Sequence, residues 1–81
     1  MKKEELQSVY NTLSQFRREY YSSDTKTQSR IEDSVRSYAN TLSGDLYVKL
    51  NQESANGLFR SSFFKGDLDR SLHILEEEMS K

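Results

Sequence analysis

Apolar residues recur along this chain at helical spacing. Leu6, Val9, Leu13, Phe16 and Tyr20 are separated by 3, 4, 3 and 4 residues. On a helix turning about 100° per residue they form one narrow stripe, with Tyr10 and Tyr21 at its edge. This spacing predicts a helix from about Lys3 to Tyr21. Its two heptads match a coiled-coil seam but fall short of the three or four that define one, so a bundle helix with one buried face is the preferred reading. Ser22-Ser23-Asp24-Thr25 is a polar break in which Asp24 or Thr25 serves as the next N-cap, its side-chain oxygen accepting from a free backbone N–H.

Ile31, Val35, Tyr38 and Leu42 repeat the pattern at spacings of 4, 3 and 4, with Ala39 widening the face. They predict a second helix to about Ser43, which Gly44 would stop by taking a positive φ after the last turn. The next stretch reads two ways. Asp45–Leu50 alternates, so Leu46, Val48 and Leu50 would share one face of a strand. Asn56-Gly57 would then make a hairpin turn and Leu58–Phe64 a returning strand. Alternatively, Asp45–Asn56 is a short helix with Leu46 and Leu50 stacked and Gly57 closing it. The near-repeat of Gly44-Asp45-Leu46 in Gly66-Asp67-Leu68 favours the helix, because Asp suits a helix start. A last helix is predicted from Asp67, with Leu68, Leu72, Leu75 and Met79 in its stripe and Ile74 well off it. Glu76, Glu77 and Glu78 oppose the helix dipole at its C-terminus, which predicts fraying there.

The expected fold is an all-α bundle of three to four helices in one domain spanning 1–81; the alternative is α+β with a hairpin at about 46–64. Leu13, Phe16, Val35, Leu42, Leu72 and Leu75 lie mid-stripe and are the expected core. Composition supports the helical reading, since there is no proline and glycine occurs three times, whereas β sandwiches need many turn residues. Only 33% of residues are apolar, and a chain of this size buries roughly 60–65% of its unfolded surface. Cysteine is absent, which excludes disulfides and thiolate chemistry and leaves oligomerisation as a source of added stability. The net charge of -1 gives no general attraction for nucleic acid or anionic membrane. With no apolar run after Met-Lys-Lys-Glu-Glu and no long apolar stretch, a cytoplasmic protein without a membrane partner is expected.

Candidate chemistry is sparse. Asp69, His73 and Glu77 are spaced to share a helix face, but one helix supplies too few metal ligands, and a surface histidine with charged neighbours is the preferred reading. One histidine and no Gly-x-Ser-x-Gly leave no hydrolase triad, and three scattered glycines cannot cradle a phosphate. No enzyme activity, cofactor or metal is expected. Arg17, Arg18, Tyr20 and Tyr21 form a basic-aromatic cluster, with Arg30 and Arg36 on the next helix. They are phosphate or base contacts on one reading and, with Glu19, Glu32 and Asp33 interleaved, a salt-bridged helix surface on the preferred one. Arg17 lies inside the apolar stripe. Its stem either lines the core edge with the head in water, the commoner arrangement, or pairs with an acid on another helix. Phe59, Phe63 and Phe64, flanked by Arg60 and Lys65, are a partner-binding loop or a cap on the bundle; at least two buried rings are expected, since apolar mass is scarce.

The expected function is a protein–protein interaction module or oligomeric accessory protein, working as a homodimer. A small nucleic-acid-associated regulator, contacting through Arg17, Arg18, Arg30 and Arg36, is the alternative. Ile74 and Val48 point away from the core stripes and, with Arg17, Tyr21, Phe59 and Phe63, are the candidate partner or self-association surface.

Overall fold

The computed structural model describes residues 2–51, 58–60 and 63–81. Four helices follow in order: α1 (Lys3–Tyr21), α2 (Thr25–Ala39), α3 (Gly44–Leu50) and α4 (Phe64–Met79). No strand occurs among the described residues, so the all-α reading holds and the hairpin is not supported. The Asn56-Gly57 turn and the last part of the helix expected to Asn56 lie outside the described residues.

Each boundary has a local cause. Asp24 caps α2 by accepting from the Thr27 backbone N–H at 2.8 Å. Gln28 Nε2 donates to the Tyr20 carbonyl at 2.9 Å, closing the end of α1. The second helix ends at Ala39, before the expected Ser43. Backbone bonds from Thr41 to Tyr38 and from Leu42 to Ala39 turn the chain. Gly44 opens α3 rather than stopping α2, because the Ser43 hydroxyl accepts from Leu46 N–H as its N-cap and competes for the same short stretch. The same hydroxyl donates to Glu5 at 2.8 Å, fixing α3 to the start of α1. Helix α4 begins at Phe64, before the expected Asp67. Burial of Phe64 draws the preceding turn into the helix, and Asp67 pairs with Arg70 at 3.4 Å.

Helix α1 is the central element, lying against α4 and α2. Tyr10 reaches Glu76 and Arg17 reaches Asp69, so α1 and α4 run antiparallel. Leu6, Val9, Leu13, Val35, Leu68 and Leu75 are buried as the stripes require. Of the six expected core residues, Phe16 and Leu42 are only half-buried: Phe16 lies at the rim against Tyr38, ring centroids 6.2 Å apart, and Leu42 falls in the turn after α2. Ile74, expected to face water, is half-buried against the core. Helix α4 has a neighbour on a second side, since Lys49 of α3 binds Glu78, one helical turn beyond Ile74, at 2.7 Å; that widens the buried face.

Phe59 is fully buried, so the structure places it in the core and not on the surface expected of it. Its ring lies 5.9 Å from that of Phe64, which lies 5.0 Å from Tyr20. Its φ is 63°, a left-handed conformation costing roughly 1–2 kcal/mol for a residue with a Cβ. The carbonyl of this residue accepts from Arg36 Nε at 2.8 Å. Arg36 also reaches Glu32 at 3.2 Å and Asp33 at 3.3 Å. Tyr20 donates to the other Glu32 oxygen at 3.1 Å. Burial, and secondarily the bond to Glu32, raise the Tyr20 phenol above its ordinary value.

Candidate functional site

The exposed aromatic residues gather where α1 ends and α4 begins. Tyr21, in the last turn of α1, is 47% exposed, and Phe63, the residue before α4, is 69% exposed. The antiparallel packing of α1 on α4 brings these two termini to one end of the bundle. Phe63 lies over Gly66: a Cβ built on that glycine collides with the phenyl ring. The missing side chain leaves the ring a seat on the helix backbone, with much of its surface in water.

Two cations lie over the Tyr21 ring. Lys65 Nζ lies 5.0 Å from the Tyr21 ring centroid and 5.9 Å from that of Tyr20. The Arg17 guanidinium lies 5.1 Å from the Tyr21 centroid. Asp69 closes the group, accepting from Arg17 Nε at 2.6 Å on one oxygen and from the Tyr21 hydroxyl at 3.1 Å on the other. Hydrogen bonding to Asp69, with its charge, raises the Arg17 pKa further. Arg17 therefore pairs with an acid across the seam, the less common of the two arrangements considered. Arg18, Lys26 and Lys65 are exposed and form no ion pair among the described residues.

A shallow groove of about 220 Å³ continues along the same seam, lined by Tyr10, Ser14, Arg17, Asp69, His73 and Glu76 with Leu72 at its floor. Tyr10 donates to Glu76 at 2.7 Å, and that bond raises its pKa. His73 binds Glu77 at 2.8 Å, while Asp69 is turned to Arg17 and Tyr21. The row of Asp69, His73 and Glu77 is thus divided between two partners. No group of three His, Cys, Asp or Glu able to hold a metal ion occurs among the described residues.

Of the candidate surface residues, the structure brings Arg17, Tyr21 and Phe63 to one end. Val48 is 65% exposed but sits on α3, tied to the far end of α4 through Lys49 and Glu78. Ile74 and Phe59 are withdrawn into the packing. Of the candidate phosphate contacts, Arg17 and Arg36 are engaged with acids and a backbone carbonyl. Sequence spacing did not disclose that Lys65 folds back over Tyr21 or that Asp69 joins Arg17 to Tyr21, because both contacts arise from the pairing of α1 with α4. The signals in the sequence were the basic flank of the Phe63-Phe64 pair and the place of Arg17 inside the apolar stripe of α1. No helix among the described residues is long and apolar enough to cross a membrane. Comparison with protein-family models, curated proteins and solved structures finds no match for this chain.

Proposed function

We propose that this chain is a protein–protein interaction module that docks through the end of the bundle carrying Tyr21 and Phe63. The exposure of Phe63, 69%, in a chain whose apolar fraction is 33%, is the observation that supports it. A protein with little apolar mass gains stability by burying its rings, and Phe59 and Phe64 are buried nearby. Tyr21 with Arg17 over its ring matches the composition of binding hot spots, where Tyr, Trp and Arg dominate. The test is quantitative affinity capture from the native host with the intact chain and with Phe63→Ser, after equal melting temperatures establish that both are folded. A protein held by the intact chain and released by the substitution supports the reading; identical captured sets contradict it.

Self-association is a second reading, favoured by Val48. This side chain is nearly as exposed as Phe63 and lies away from it, so a second copy docked there leaves the Phe63 end open. Sedimentation equilibrium over the micromolar range decides it. A two-chain mass that Val48→Glu lowers to one supports a homodimer through α3; a one-chain mass throughout rejects it.

A further inference from the structure

We draw no further inference here: the strongest candidate, the exposed patch of Tyr21 and Phe63 where α1 ends and α4 begins, mixes exposed Glu19 and Asp24 with Arg18, Lys26 and Lys65, has its Arg17 and Tyr21 donors already taken by Asp69, and nothing in the structure shows what covers it.

Discussion

The two ends of this bundle are built from the same kinds of residues and treat them differently. Where α1 begins and α4 ends, Ser43 satisfies Glu5, and Lys49 and Lys81 satisfy Glu78; both lysine bonds lower the Glu78 pKa. Where α1 ends and α4 begins, Phe63 is 69% exposed over Gly66, and Arg18, Lys26 and Lys65 share the surface with exposed Glu19 and Asp24 without forming an ion pair among the described residues. One end is closed upon itself and the other is open. At the first, Glu5, Glu76 and Glu78 gain partners within the chain. At the second, much of the Phe63 surface remains outside the packing. The contrast is sharpest between neighbours: Phe59 and Phe64 are buried while Phe63, adjacent to Phe64, is not.

The largest expected effect breaks the closed core. Phe59→Ala should cost about 3–5 kcal/mol, enough to unfold most of a domain this small, whereas Phe63→Ala should change stability by less than about 0.5 kcal/mol. Thermal and urea denaturation of the two variants measures the difference directly. Next comes Arg36→Met, which leaves the Phe59 carbonyl without its 2.8 Å donor and should cost about 1.5–3 kcal/mol. Amide exchange at Leu58 and Phe59 should rise before that of α1. Gly66→Ala should gain about 0.5–1 kcal/mol of helix propensity, offset in part as the Phe63 ring is pushed off its seat. NMR of the ring protons should show the displacement. The smallest effect is in acid. The Asp24 carboxyl is held below its ordinary value by the Thr27 N–H, and Glu78 by Lys49 and Lys81. Both contributions are complete above the unfolded carboxylate range, about pH 4, and are lost as pH falls through the lower folded values. Melting temperature should therefore be flat down to about pH 4 and decline below it. Asp24→Asn, which keeps a capping oxygen but cannot titrate, should make the decline shallower.

The sequence made the helices legible because their periodicity is local. Leu13 and Val35 are buried as their stripes predict, and Asp24 caps where expected. Boundaries were less legible, since competing caps decide them: Ser43 claims Leu46 N–H, and a glycine expected to stop one helix starts another. Phe59 and Phe63 could not be told apart from sequence. Both lie between Gly57 and Gly66 with basic neighbours, and only the left-handed turn at Phe59, with Arg36 bonded to its carbonyl, sends one ring inward. The open end was visible in part, through Tyr21 and Arg17, but its assembly with Lys65 and Asp69 depends on the pairing of distant helices.

Phe63 and Val48 offer a direct comparison, since they are apolar, about equally exposed, at 69% and 65%, and placed at opposite ends. A photo-crosslinking phenylalanine analogue at either position, expressed in the native host, tests whether the open end is the docking surface. Position 63 should yield a discrete adduct with another protein that Lys65→Glu diminishes, at a level well above any adduct from position 48. Equal adducts from the two positions, or none from position 63, would contradict the account.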